Sequence, residues 1–326
     1  MRHLPTFVSV EPANFCQLRC PECPVGMRAE SRRVYPADRS DDGATTPGYG
    51  SHADGSRVRV MPMDIFQRIL SEVQSTAHTM QFYFQGEPLL NKQLPKMIAL
   101  AHDAGLYTIV STNAQAITPV MAEALIKSGL SRIIVSIDGF SEDSYAAYRV
   151  GGSLHKALEG LQLLRQAKDH LGSRIVIELQ VLRLKTNEHE WQWIQKNYKS
   201  LGATRLVFKT AQLYNFENGH PLMPTDERYS RYRKTADGTY VHKKKEILNS
   251  KFKIQNSPCF RLWSGCVITT NGDVLPCCYD KEQKYILGNI TSSTLSDLFH
   301  SSSVSLLRKR ILSGKTLPLM CRNCNQ

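Results

Sequence analysis

The sequence predicts an α/β fold: a partial (β/α)6 barrel over residues 1–214, a linker over 215–258 and a small hairpin-plus-helix unit over 259–326. Three observations carry this. Short apolar runs alternate with stretches of helical period, and repeated βα units build a parallel sheet with right-handed crossovers. The units number six, too few to close an eight-stranded barrel. Late in the chain Asn271-Gly272 sits between two β-rich runs, a hairpin signal.

The first strand is the short apolar run at 7–10. From about 29 to 60 the composition changes: residues 31–42 are charged, and 43–55 are rich in Gly, Thr and Ser, which reads as a flexible inserted loop. Regular structure resumes at Met61. Ile65, Phe66, Ile69, Leu70 and Val73 recur at helical spacing, and a strand follows at 80–84. A helix over 94–104 ends at Gly105, a C-cap residue, before a strand at 107–110. The alternation continues with a helix at 119–127, a β-branched strand at 133–137 and a helix at 154–167. A strand at 175–182, a helix at 191–198 and a strand at 206–208 complete the six units.

A chain of 326 residues suggests about two domains and a large core. No stretch approaches the ~18 uncharged apolar residues of a membrane span, and the N-terminus lacks a signal-peptide apolar region, so the expectation is a cytoplasmic protein that engages no membrane. The net charge of +12 leaves room for an acidic partner without naming one. Phosphate-loop, nucleophile-elbow and His-x-x-x-His patterns are missing, which disfavours phosphoryl-transfer and hydrolytic chemistry.

Cysteine placement is the sharpest signal. Three of the nine lie at Cys16, Cys20 and Cys23, six follow residue 258, and none falls between. Without a secretory signal, such clumping points to two metal sites rather than disulfides. Three thiolates on one loop can hold three irons of a four-iron cluster and leave the fourth open, as a catalytic cluster requires. A zinc site would need a closed set of four ligands.

The Cys16-x3-Cys20-x2-Cys23 pattern resembles the signature of radical S-adenosylmethionine (SAM) enzymes. The resemblance implies a [4Fe-4S] cluster whose open iron is chelated by SAM. It also implies reductive cleavage of SAM to a 5′-deoxyadenosyl radical, an electron donor such as flavodoxin or ferredoxin, and a partial TIM-like barrel. One position departs: the residue before the third cysteine, commonly aromatic and set near adenine, is Glu22. Gln85-Gly86-Glu87-Pro88 is similar to the family's Gly-Gly-Glu motif and implies that Gly86 and Glu87 hold the SAM amino group, through a backbone carbonyl or the carboxylate. Asn113, Ser136 and Asp138, at the ends of the third and fourth strands, are then placed to reach the ribose, and Arg149 the SAM carboxylate. Helix caps and turns are the alternative for each.

The C-terminal part resembles the SPASM or shortened twitch extension. It shares Cys259-x3-Trp263, the Asn271-Gly272-Asp273 hairpin ending in Pro276-Cys277, Leu287-Gly288-Asn289-Ile290 and Cys321-x2-Cys324. This implies one auxiliary [4Fe-4S] cluster, two clusters per chain in all, with Cys259, Cys277, Cys321 and Cys324 as ligands; a structural zinc in the same thiols is the alternative. Cys266 and Cys278 are left over. If the strand continues through 277–278, Cys278 points away from the cluster, either as a packing residue or as a hydrogen donor to a substrate radical.

The expected reaction is hydrogen abstraction from a peptide or small-molecule substrate, by an oxidoreductase or maturase. Epimerisation with Cys278 as donor is the alternative. The short stretch before Cys16 tilts the expectation towards a small molecule or a separate recognition protein. From another class comes a metal-stabilised nucleic-acid binder using the basic and aromatic run from Arg228 to Lys245; nucleic acid is the less expected partner.

Overall fold

The computed structural model describes residues 4–30, 59–243, 259–313, 318–321 and 324. The expected inserted loop lies almost wholly outside the described residues, as does the last third of the expected linker, Lys244 and Lys245 included.

Six strands run parallel and in sequence order: β1 (Phe7–Val10), β2 (Thr79–Phe82), β3 (Tyr107–Thr112), β4 (Arg132–Ser136), β5 (Val176–Arg183) and β6 (Arg205–Thr210). Between them lie α1 (Pro24–Glu30), α2 (Met63–Val73), α3 (Leu94–Asp103), α4 (Pro119–Lys127), α5 (Glu142–Ala146), α6 (Leu154–His170) and α7 (Trp191–Asn197). This is the partial α/β barrel. The helices cover one face, where Val8, Val10, Met80, Phe82, Val110, Val135, Leu179 and Val181 join their apolar sides in the main core. The alternate residues of the same strands face the concave side and are largely polar, as the period of two requires. Ser9, Gln81, Ile109 and Arg132 stand abreast there, as do Ser111, Ile134, Glu178 and Arg205. Ser9 Oγ donates to Gln81 Oε1 at 3.1 Å, and Glu178 lies 3.5 Å from both Arg132 and Arg205.

Two findings go beyond local pattern. After the hairpin β7 (Tyr232–Lys234) and β8 (Tyr240–His242), and α8 (Phe260–Ser264), strand β9 (Gly265–Ile268) pairs in parallel with β1. Strands β10 (Asp273–Leu275) and β11 (Gly288–Asn289) extend the same sheet to nine strands, and α9 (Leu295–Phe299) and α10 (Ser302–Ser313) follow. The C-terminal hairpin is thus continuous with the barrel sheet.

The described part of the expected linker is packed structure. Tyr232 is fully buried, its hydroxyl donates to the Leu213 carbonyl at 3.0 Å and accepts from Leu213 N at 2.8 Å, and Phe216 stacks on its ring at 4.1 Å. Tyr229 packs edge-on against Trp191, and Arg183 lies 3.9 Å from the Tyr229 ring centroid. Arg228 pairs with Asp226, and Arg231 Nε donates to the Thr210 carbonyl. Tyr229 and Tyr232 of the basic and aromatic run are therefore engaged in packing within the fold. No helix among the described residues is long and apolar enough to cross a membrane.

Candidate functional site

The cysteine loop leaves the C-terminal end of β1, the end of a parallel sheet where reacting groups collect. Cys16, Cys20 and Cys23 pack with Leu18, Tyr148, Leu213 and Met223 in a second apolar cluster. Gly26 lets α1 press onto the loop, because a Cβ there would sit 2.2 Å from the Cys20 carbonyl oxygen. Burial, Glu87 and the other two thiols push the Cys16 thiol up to about 12. Burial chiefly, with Cys23 and Asp138, pushes Cys20 to about 11 against the pull of Arg149. Cys16 and Cys20, sheltered thiols that resist ionising, stand with Cys23 on one loop and suit a group that supplies positive charge, as iron bound by thiolates does.

Asn113 Nδ2 donates to Cys16 Sγ at 3.4 Å, while its Oδ1 accepts from Gln17 Nε2 at 3.1 Å and Gln115 N at 3.0 Å. Asp138 and Arg149, expected as separate cofactor contacts, are paired with each other. Arg149 Nη2 lies 2.6 Å from Asp138 Oδ2, its Nη1 is 4.0 Å from Cys20 Sγ, and Asp138 Oδ1 accepts from Leu182 N at 2.6 Å. Burial pushes the Asp138 carboxyl up, against Arg149. The arginine is thereby held over the cluster loop with part of its charge already balanced. Ser136 is buried at the end of β4, next to this pair in sequence.

Glu87 is held by neighbours on β3 and in the turn that follows it. Its Oε1 accepts from Thr112 Oγ1 at 2.7 Å and Leu89 N at 3.2 Å, and its Oε2 accepts from Asn113 N at 2.9 Å. The carboxylate is buried and its bonds fasten β2 to β3. Gly86 is equally committed: a Cβ would lie 2.1 Å from the Ala13 carbonyl oxygen, and Glu87 N donates to Phe15 O at 2.8 Å. The motif clasps the chain leading into Cys16. What it can offer a cofactor amine is backbone carbonyl.

Glu22 has a role that the sequence did not show. Its Oε2 accepts from Tyr214 N at 2.6 Å, and its Oε1 lies 3.2 Å from His220 Nε2. The carboxylate is nearly buried and ties the segment after β6 onto the cysteine loop. Glu22→Ala is expected to lower the unfolding free energy of the iron-loaded protein by about 1.5–3 kcal/mol, the worth of a hydrogen bond to a charged group, with Glu22→Gln in between. Urea midpoints equal for wild type and alanine variant would show that the clamp contributes nothing.

At the other end of β1, Cys259, Cys277 and Cys321 gather with Trp263 and Tyr285 around Leu262, Leu307 and Met320. Burial, Cys324 and Cys259 push the Cys321 thiol up to about 11. The expected orientation of Cys278 is overturned. Strand β10 ends at Leu275, and Asp280 N closes a turn on the Cys277 carbonyl at 3.1 Å. The turn places the Cys277 and Cys278 thiols in hydrogen-bond contact; that contact, with Lys281 and Arg261 nearby, holds Cys278 below the ordinary thiol range. The same turn leads into a span that closes the barrel mouth. Gln85 Nε2 donates to the Lys281 carbonyl at 2.6 Å, and Tyr279 bonds Arg231, which holds the end of β6. Cys266 is buried on β9 within the main core. Among the described residues no three His, Cys, Asp or Glu side chains converge on a single metal ion, so the fit of both thiol groups to a polynuclear iron group rests on the donor set and its electrostatics.

Comparison with known proteins agrees with this geometry. The model of the Radical SAM superfamily matches residues 10–179, and that of the SPASM iron-sulfur cluster-binding domain matches 259–325. The PqqA peptide cyclase of Bradyrhizobium diazoefficiens is 28% identical over 229 residues, 68% of this chain and 51% of its own. The AdoMet-dependent heme synthase of Nitratidesulfovibrio vulgaris is 27% identical over 198 residues, 60% of this chain and 45% of its own. The chain thus spans about half the length of these relatives. The crystal structure of Streptococcus suis SuiB bound to S-adenosylmethionine superposes with a TM-score of 0.64 at 14% identity, covering 99% of this chain and 72% of SuiB, a likeness of fold.

Proposed function

The chain belongs to the radical SAM superfamily, and from that premise we propose that it abstracts hydrogen from a peptide or small-molecule substrate, with an auxiliary cluster in its C-terminal part. The observation that carries the proposal is the gathering of Cys16, Cys20 and Cys23 at the mouth of the parallel sheet, with Asn113 on one thiol and Arg149 beside another. Bound there, the [4Fe-4S] cluster and SAM supply the 5′-deoxyadenosyl radical.

The chain's own residues hold, orient and shield. Cys16, Cys20 and Cys23 ligate the cluster and leave one iron open for SAM. Arg149, steadied by Asp138, offers a guanidinium to the SAM carboxylate. Asn113 and Ser136 would reach the ribose, and the backbone at Gly86 the amine. The span from Cys277 to Lys284 covers the mouth and excludes water, which would quench a carbon radical. Cys259, Cys277, Cys321 and Cys324 would hold the auxiliary cluster, whose chemistry there would be to take or relay an electron. A small redox protein such as flavodoxin or ferredoxin delivers the first one. A second reading, epimerisation, draws on the position of Cys278, which borders a cavity reaching the concave face.

Anaerobically reconstituted protein is expected to make 5′-deoxyadenosine from SAM faster when fractionated cell extract is added. Extract-independent formation alone would remove substrate-coupled catalysis from the proposal. With the active fraction in heavy water, one deuterium on the reacting carbon marks epimerisation, and a product two electrons more oxidised marks dehydrogenation.

A further inference from the structure

Beside the C-terminal thiols lies a cavity of about 340 Å³, bounded by α8, the inner faces of β1 and β9, and the turn Pro276–Cys278. Its walls are mostly apolar, with Phe7, Phe260, Val267 and Pro276 prominent, and among the described residues its one charged wall residue is Arg261. Of the four proposed auxiliary ligands only Cys277 borders it, whereas Cys259 and Cys321 pack around Leu262, Leu307 and Met320. Cavity and cluster site are therefore neighbours that share an edge.

Arg261 differs from the other arginines of the concave face. Arg132, Arg149 and Arg205 each lie against a carboxylate. Arg261 instead donates from Nη1 to Cys278 Sγ at 3.3 Å, and the groups around it are Cys278, Cys277, Tyr279 and Cys324. A guanidinium carries five N–H donors, and a thiol is a poor match for its planar fork, which suits a carboxylate best. A half-buried cation at the wall of an apolar pocket is a ready partner for an anion. The volume is at the lower end of ligand pockets, about 300–1,000 Å³, which fits one small molecule rather than a length of peptide.

We infer that this cavity is a subsite for a carboxylate-bearing, otherwise largely apolar small molecule, with Arg261 gripping the carboxylate and Phe7, Phe260 and Val267 covering the body. This rests on the reading above that the chain acts on a substrate, and it narrows the substrate class.

The test uses the anaerobically reconstituted protein with two probes, 3-phenylpropionate and its uncharged analogue 3-phenylpropanamide, and measures binding by calorimetry. The carboxylate is expected to bind about 10- to 100-fold more tightly than the amide, the usual loss for a charge-assisted hydrogen bond. Arg261→Gln abolishes that preference and Arg261→Lys keeps part of it. Phe260, 75% exposed at the rim, serves as reporter site: Phe260→Trp emission shifts with the carboxylate and not with the amide. Equal affinity for both probes, no binding of either, or a preference retained in Arg261→Gln overturns the inference. So does an Arg261→Gln variant whose C-terminal cluster changes reduction potential while probe preference stays as in wild type, since Arg261 would then only balance the thiolates. SAM cleavage is measured in the same preparations without probe. Its absence counts against the proposed function, whereas intact cleavage with no carboxylate preference removes the subsite alone.

Discussion

Replacing Cys16, Cys20 and Cys23 together by alanine is expected to take the reconstituted protein from about eight irons per chain to about four and to abolish 5′-deoxyadenosine formation. The size of the effect follows from where the thiols stand. They are the proposed sulfur ligands on the loop that leaves β1, and alanine offers nothing to iron. The fold should survive, because Val8 and Val10 pack in the main core while the thiols belong to the smaller cluster around Leu18 and Tyr148. Far-ultraviolet circular dichroism and iron analysis on one sample therefore separate loss of cluster from loss of fold. A triple variant that still makes 5′-deoxyadenosine would refute the assignment of the N-terminal site.

How much of this could be read from the chain depends on the range of the interaction involved. The six βα units were legible because burial of one strand face and one helix stripe writes a period into the sequence, and β1 to β6 fall where that period placed them. The cysteine loop was legible because three ligands within eight residues need no tertiary information. Pairing of β9 with β1 was not, since some 255 residues separate Val10 from Gly265 and nothing local selects an edge. The same holds for Tyr232. Its neighbours Arg231 and Arg233 gave it the look of a solvated run, yet its ring is buried against Phe216 and its hydroxyl is spent on Leu213.

At the site, residue identity was more legible than residue role. Glu87 and Arg149 stand close to where the cofactor is proposed to bind, but their charges are already answered, by Thr112 and Asn113 in one case and by Asp138 in the other. Such partnerships depend on which strand ends lie side by side, which a single sequence does not state. Glu22 shows the converse. A carboxylate in a position expected to be aromatic looked like a lost contact, and its function is to hold Tyr214 and His220 from a segment about 190 residues away.

Replacing Cys259, Cys277, Cys321 and Cys324 together by alanine is expected to remove only the C-terminal iron, leaving about four irons per chain. Reductive cleavage of SAM should persist while substrate turnover is lost. The two halves of the expectation have separate causes. Among the described residues the N-terminal thiols pack in a separate apolar cluster from the C-terminal ones, so their iron is expected to stay. Cys277 leads into the span through Tyr279 and Lys281 that ties the ends of β2 and β6, and the electron or anchor proposed for the C-terminal thiols concerns the substrate. Five thiols lie in this neighbourhood, so the choice of four is itself testable. Cys277 and Cys278 both border the cavity, but Cys278 accepts from Arg261, whereas Cys277 packs with Cys259 and Cys321. Cys278→Ala should therefore keep about eight irons, and Cys277→Ala about four, by iron analysis and electron paramagnetic resonance. An iron count that falls with Cys278→Ala and holds with Cys277→Ala would exchange the two assignments. Tightly bound zinc at this site in protein purified without reconstitution, and no iron there, would replace the auxiliary cluster by a structural metal.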